Sequence, residues 1–144
     1  MRLRTKAREV ALHILYQVEI AKKTVDELFP NYIEHNPQCE EVCEFAKALS
    51  SGVEKNAVYI DSLIKKYVKN WEIDRMAVID RNVLRLATFE LLFIADVPPK
   101  VSINEAIELA KRFGDVDSPR FVNGVLDKIY KTETASKGQE TLHD

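Results

Sequence analysis

The apolar residues of this chain recur at intervals of three and four positions, the spacing that places side chains on one face of an α-helix. Strict alternation with a period of two, which is typical of half-buried strands, does not occur along the sequence. We therefore predict an all-α fold whose first helix buries one face against a core. The residues on that face are Ala7, Ala11, Ile14, Leu15 and Val18.

Residues with capping chemistry indicate where helices begin and end in the first half. Thr24 and Glu27 have the spacing of a capping box, so we predict a helix that begins there and ends before Pro37. A longer helical pattern follows over residues 38–69. The Ser-Ser-Gly run at 50–52 predicts a kink or a division within this pattern.

The second half begins with a predicted central helix. Asp74 is its predicted N-cap, and Ile73 and Val78 are placed as a hydrophobic staple. Residues 83–94 are apolar on most faces, as expected for a buried helix, and the proline pair at 98–99 is predicted to end it.

Two further helices complete the prediction. Ser102 and Glu105 have capping-box spacing, and Gly114 follows the predicted end of that helix. Ser118 as N-cap and Pro119 as the first helical residue predict the last helix.

The predicted architecture is a compact bundle of six or seven helices in two small helical subdomains. We expect one domain over residues 1–131, with an N-terminal subdomain of about 1–70 and a C-terminal subdomain of about 71–131. Residues 132–144 are polar and lack apolar periodicity, so we predict a disordered tail there.

Charge is distributed unevenly, although the formal net charge is only −2. Residues 24–61 carry eight acids against two lysines, whereas residues 1–8 carry four cations and no acid. A basic arm on an acidic body can bind phosphate while the body repels it elsewhere. The alternative is a frayed, solubilising chain end. The four cations, which we call the basic arm, are Arg2, Arg4, Lys6 and Arg8.

The sequence contains no motif that combines the residue types required for catalysis, for cofactor binding or for metal binding. The four glycines are too scattered for a phosphate-binding loop. His35, Cys39 and Cys43 are spaced by four, but Pro37 interrupts the helix and a fourth zinc ligand is missing. We therefore expect no enzymatic activity, no cofactor and no metal site.

Cysteine usage and hydropathy indicate the cellular compartment of the protein. Two cysteines without a secretory signal are typical of a reducing compartment. The longest apolar stretch, residues 83–97, is too short and too charged to span a bilayer. We expect a cytoplasmic protein that does not associate with membranes.

A second candidate site lies at the junction of the last two predicted helices. Phe113 and Phe121 supply aromatic rings, and Asp117 and Asn123 supply polar groups, the residue types that read unpaired RNA bases. Gly124 lies inside the last helix, where glycine costs about 1 kcal/mol relative to alanine. Close approach of another helix or of a ligand would explain it, and both interpretations stay open on these residues.

Three stretches of the sequence resemble the NusB family of transcription antitermination factors. The first joins Ala-Arg at 7–8 with Leu-Tyr at 15–16, and the second extends over 71–90 and contains DRNVLR. The third, VSINEAIELAK at 101–111 followed by FVNGVLD at 121–127, is long and specific.

The resemblance implies a protein that binds the boxA element of nascent, notably ribosomal, RNA together with the ribosomal protein NusE and joins the RNA polymerase antitermination complex. Family members often have a denser arginine cluster than this arm, in which Leu3, Thr5 and Ala7 separate the charges. By position, the basic arm, Lys100, Phe113, Asp117 and Phe121 would face RNA, while Tyr16, Glu19, Asp80 and Arg81 would face NusE.

Two other functions were compatible with the sequence. One is the NusB-like accessory domain of a ribosomal RNA cytosine methyltransferase, which would need a Rossmann-type catalytic half that these 144 residues do not contain. The other is a structural homodimer, in which the helix faces assigned to RNA would pack against a second copy.

Overall fold

The structure, a computed structural model, describes residues 2–68 and 76–134, except for the side chain of Thr134. Within those residues the chain forms seven α-helices and a closing π-helical turn, and it contains no strand. The all-α prediction is therefore confirmed. The elements are α1 (Leu3–Ala21), α2 (Val25–His35), α3 (Glu40–Lys55), α4 (Ala57–Tyr67), α5 (Val78–Phe93), α6 (Pro99–Phe113), α7 (Ser118–Ile129) and the turn Tyr130–Thr134.

Two apolar clusters hold the bundle together. The larger one draws on α1 and on α3 to α7, and α5 lies at its centre with Leu84 and Leu86 almost fully buried. The smaller one fills the space between α1, α2 and α3. Residues from both sides of position 70 enter the larger cluster, and the predicted division into subdomains there stays a prediction. None of the helices in the described residues combines the length and apolar character that crossing a membrane requires.

The predictions for the first two helices are confirmed. The apolar face of α1 is buried at Ala7, Ala11 and Ile14 and packs against α2, α3 and α5. At the beginning of α2, the Glu27 amide donates to the Thr24 hydroxyl at 3.2 Å, and the Thr24 amide donates to the Glu27 carboxylate at 3.1 Å. These two bonds form the predicted capping box.

The pattern over residues 38–69 does divide into two helices, but a division at 50–52 was wrong, because α3 continues through this run and ends at Lys55. The Ser50 hydroxyl donates to the Ala46 carbonyl at 2.8 Å and so stays compatible with a helix. Gly52 is required for packing, since an added Cβ would lie 2.7 Å or closer to three ring atoms of Phe89. Asn56, whose amide group donates to the Gly52 carbonyl at 2.8 Å, separates α3 from α4.

The predicted capping box at the start of α6 was also wrong. α5 already ends at Phe93, and the proline pair at 98–99 begins α6 instead of ending α5, because proline fits the first helical position. Ser102 and Glu105 therefore lie inside α6, where their side chains contact other helices.

Some predicted features fall outside the described residues. Asp74 and the staple residue Ile73 lie within residues 69–75. The central helix α5 itself begins at Val78 with Ala77 as its N-cap, so the prediction of Asp74 as its N-cap was wrong. Most of the predicted tail is 135–144. The first residues of that tail lie within the π-helical turn that follows α7.

Candidate RNA and partner interfaces

The first half of α1 lies beside α6, and the two helices run in the same direction. The Thr5 hydroxyl donates to the Glu105 carboxylate at 2.7 Å, and one turn further along α1 the Arg112 guanidinium donates to Glu9 at 2.8 Å. Between these bonds the helices enclose an open groove of about 480 Å³. The groove is lined by Arg2, Thr5, Val101, Asn104, Glu105, Glu108 and Arg112.

Three cations of the basic arm are accessible at the beginning of α1. Arg2 is the exposed N-cap residue, and Lys6 lies 3.6 Å from the Glu9 carboxylate. Arg4 forms a 3.1 Å ion pair with Asp96 while its guanidinium lies 4.3 Å from the centre of the Phe45 ring. The first turn of α1 contains no acid, so these cations oppose the helix dipole.

The fourth cation of the arm occupies a different environment. The Arg8 residue is only 3% exposed, and its guanidinium donates two hydrogen bonds of 2.8 Å to the Glu90 carboxylate. Folding has therefore turned Arg8 inward, away from the solvent that a phosphate contact would require.

At the far end of the groove, an aromatic cluster surrounds Phe113. Its half-buried ring meets the His13 ring edge-on with centroids 5.1 Å apart, and the Arg112 guanidinium lies 5.0 Å from its centroid. Burial lowers the pKa of His13; Lys6 and Arg112 act in the same direction, whereas Glu9 opposes them. The imidazole thus belongs to the packing under the ring.

A tight corner joins α6 to α7. Gly114 follows α6 as predicted, and an added Cβ there would lie 2.5 Å from the Ser118 hydroxyl oxygen. The N-cap of α7 is Asp117, one residue earlier than predicted, and Ser118 is the first helical residue. The Ser118 hydroxyl accepts the Asp115 amide at 3.0 Å. Asp115 closes the corner and was not singled out in the sequence. The exposed Asp117 thus stands at the beginning of α7.

On α7, the predicted residues divide between core and surface. Phe121 is half-buried and packs against the larger apolar cluster, whereas Asn123 and Gly124 are exposed. An added Cβ at Gly124 would meet no atom of the described residues within 4 Å. Within the described residues, close packing of another helix therefore does not explain why position 124 is a glycine, and that interpretation was wrong.

The predicted RNA residues thus form two groups. Lys100 lies exposed in the first turn of α6, next to the groove residue Val101 and at the same end as the basic arm. Phe113 marks the other end of α6, and the α7 residues follow beyond the corner.

The predicted partner residues gather at the opposite end of α1. Glu19 receives hydrogen bonds from both Arg81 and Arg85, and Arg85 also pairs with Asp61 at 2.8 Å. Tyr16, one turn before Glu19, is 41% exposed. Burial alone would raise the pKa of Glu19, but the hydrogen bonds and charges of the two arginines outweigh it and lower the pKa.

Asp80 adds an unusual acid to this face. Its Oδ1 is buried without a hydrogen-bond partner among the described residues. Asp61 and Arg85 were not singled out in the sequence, although an arginine within the apolar stretch of α5 was a signal for a partly buried ion pair. In the described part of the chain, no group of three histidine, cysteine or acidic residues could hold a metal ion.

A sequence model of the NusB family matches residues 5–131, which contain all of the predicted interface residues except Arg2 and Arg4. This chain belongs to the NusB family. Transcription antitermination protein NusB of Dehalococcoides mccartyi (strain CBDB1) is 42% identical over 139 residues, which cover 95% of this chain and 97% of that relative.

Solved NusB structures share the fold. T. maritima NusB superposes with a TM-score of 0.84 at 39% identity, covering 90% of this chain and 91% of that one. Antitermination factor NusB in a complex with NusE and double-stranded RNA superposes with a TM-score of 0.83 at 35% identity, covering 91% and 98%. These relatives favour an antitermination factor over a methyltransferase accessory domain.

Proposed function

We propose that this NusB-family chain is a transcription antitermination factor that binds boxA-type RNA of nascent ribosomal transcripts together with NusE. The complex would join the elongating RNA polymerase, and the chain would act in the cytoplasm by binding alone. A relative named transcription antitermination protein NusB and a similar NusB solved with NusE and RNA support this role. The observation that carries the proposal is the exposed basic beginning of α1 beside the beginning of α6 in a NusB-family chain.

The proposed RNA surface follows the α1–α6 groove. Its phosphate-binding end consists of Arg2, Arg4, Lys6 and Lys100, all of which carry solvent-accessible cations. Unpaired bases are usually recognised by aromatic stacking and polar side chains, so we place them at the other end. The residues proposed there are Phe113, Asp117, Phe121 and Asn123. Arg8 is left out of the contact set because its guanidinium is buried.

The proposed NusE surface consists of Tyr16, Glu19, Asp80 and Arg81. Tyrosine is enriched at protein interfaces, and Tyr16 is 41% exposed. Because this face lies at the opposite end of α1 from the basic arm, both ligands could bind at once.

The proposed function is tested by measuring the affinity for a single-stranded boxA RNA, a scrambled RNA and a boxA duplex, with and without NusE. We expect the complex with NusE to bind single-stranded boxA RNA most tightly. If it binds that RNA no better than NusE alone, the proposal is wrong. Sedimentation of the free chain at several concentrations would reveal a homodimer that hides the RNA surface.

The partner face is tested by Asp80→Lys. This substitution reverses a charge at the proposed interface, so we expect weaker capture of NusE with unchanged helical content by circular dichroism. Asp26→Lys is the matched control, because Asp26 is exposed on α2 and lies outside this face. Unchanged capture by the Asp80 variant would contradict the placement.

A further inference from the structure

A buried polar cluster that includes Arg8 joins three helices directly beneath the three accessible cations of the basic arm. The bidentate pair between Arg8 and Glu90 links α1 to α5, and the two residues are only 3% and 2% exposed. The buried Ser102 of α6 donates its hydroxyl to the same carboxylate at 3.1 Å. One carboxylate thus fixes α1 and α6 at the same point.

A second acid extends the cluster toward the beginning of α1. Glu105 lies 3.5 Å from the Arg8 guanidinium and accepts the Thr5 hydroxyl at 2.7 Å. On the other side of the helix, the ring of Phe45 from α3 lies 4.3 Å from the Arg4 guanidinium and 5.6 Å from that of Arg8. The first two turns of α1 are therefore held from α3, α5 and α6 at once.

The charge balance of the cluster argues against a phosphate-attracting role. Two carboxylates surround one guanidinium, so the cluster carries excess negative charge beneath the site where RNA is proposed to bind. A buried ion pair is also a weak source of net stability, because desolvation offsets most of the attraction. Such pairs are better suited to fixing one geometry.

We infer that Arg8, Glu90 and Ser102 are positioning residues, which orient the first turn of α1 so that its exposed cations match the phosphate spacing of the specific RNA. The inference rests on the proposed RNA-binding function and adds to it the origin of specificity. With the cluster intact, Arg2, Arg4 and Lys6 project from a helix whose rotation and tilt are fixed. Without it, the charges persist but their spacing varies.

Specific and non-specific binding should therefore respond differently. Non-specific attraction depends mainly on the number of cations, whereas recognition of one RNA depends on where those cations stand. Loss of the cluster should lower affinity for boxA RNA and leave affinity for scrambled RNA almost unchanged. General destabilisation would not produce this selective loss in a variant that remains folded.

Glu90→Gln tests the inference, because glutamine keeps the shape of the side chain and removes its charge. By simple electrostatics, removing an acid near the RNA should strengthen binding. If Glu90 positions α1, we expect the opposite result, a weaker preference of the NusE complex for boxA over scrambled RNA. The preference should fall about tenfold, which is the size expected for losing one charge-assisted hydrogen bond. Glu34→Gln, which removes an exposed acid on α2 outside the groove, is the matched control and should not lower the preference.

Ser102→Ala provides a second variant if Glu90→Gln does not fold, since alanine favours the helix and Ser102 is too buried to touch RNA. We expect a smaller loss of preference in the same direction. If the parent complex prefers boxA RNA but folded Glu90→Gln and Ser102→Ala retain the full preference, the positioning inference is wrong. If the parent shows no preference, the proposed function itself fails.

Discussion

Single side chains along α1 differ sharply in how firmly their charges are held. Arg4 and Asp96 form an exposed ion pair with side chains 47% and 67% accessible, and pairs of this kind contribute at most about 1 kcal/mol. A phosphate could therefore replace Asp96 at low cost. Arg8 is bound on two sides within the protein and would have to leave a buried carboxylate behind. The two arginines lie one turn apart, yet Arg4 is suited to binding a phosphate and Arg8 is suited to holding α1 in place.

His13 should make stability depend on pH. Burial lowers its pKa from 6.5, so the unfolded chain binds this proton more readily than the folded chain. The stabilising contribution is complete above pH 6.5 and is lost as the pH falls below that value toward the lowered pKa. In urea melts, we expect the free energy of unfolding to be lower at about pH 5.5 than at about pH 7.5.

The variant His13→Gln should reduce that difference between the two pH values. His35→Gln serves as control because His35 is exposed at the end of α2, and it should keep the dependence of the parent. An identical pH dependence in the parent and in His13→Gln would contradict the assignment.

At the level of helices, the glycines of α3 and α7 should respond oppositely to alanine. Gly52→Ala places a methyl group against the Phe89 ring, so we expect a loss of about 1–3 kcal/mol from overpacking. Gly124→Ala meets open space, so better helix propensity should stabilise the chain by up to about 1 kcal/mol. Thermal melts of both variants measure this contrast, and equal destabilisation would contradict it.

The same Gly124 variant also probes the surface of α7. If a ligand backbone approaches Gly124 closely, Gly124→Ala should weaken RNA or partner binding while raising the melting temperature. A higher melting temperature together with a lower affinity would show that the binding loss does not come from a loss of stability. Unchanged binding would remove close approach at Gly124 from the proposal.

Helix identity could be predicted from the sequence, but several boundaries could not. The capping box at Thr24 depends on residues three positions apart, and such local chemistry is visible in the sequence. Ser102 and Glu105 have the same spacing, yet they bond to Glu90 and Thr5, which lie 12 and 100 positions away. Contacts that distant compete with local patterns and become visible only once the helices have packed.

The site was predictable to a similar extent. The positive charge of the arm was visible from residue type, and the acids of the proposed partner face were predicted from the resemblance. The inward turn of Arg8 could not, because a guanidinium is normally exposed unless a buried carboxylate is available. That carboxylate, Glu90, lies on another helix and was not identified as its partner.

For the whole molecule, the salt dependence of RNA binding reports how many cations meet phosphates. Four contacts, from Arg2, Arg4, Lys6 and Lys100, predict a slope of log K against log salt of about −2.8 for single-stranded RNA and the chain alone. Arg4→Gln should make the slope less steep by about 0.7. Lys47→Gln on α3 is the control, since Lys47 pairs with Asp26 outside the RNA surface. A parent slope near zero would exclude the basic arm from binding.

The long sequence separation within the cluster at Arg8 bears on how the protein is made. Arg8 is translated 82 residues before Glu90, and Glu9 is translated 103 residues before Arg112. While the ribosome is still producing the middle of the chain, the earliest helix has none of these acids or bases to meet. Arg8 cannot meet Glu90 until α5 has been made, and Glu9 cannot meet Arg112 until the end of α6 has been made, so both ion pairs form late in synthesis and join distant parts of the polypeptide.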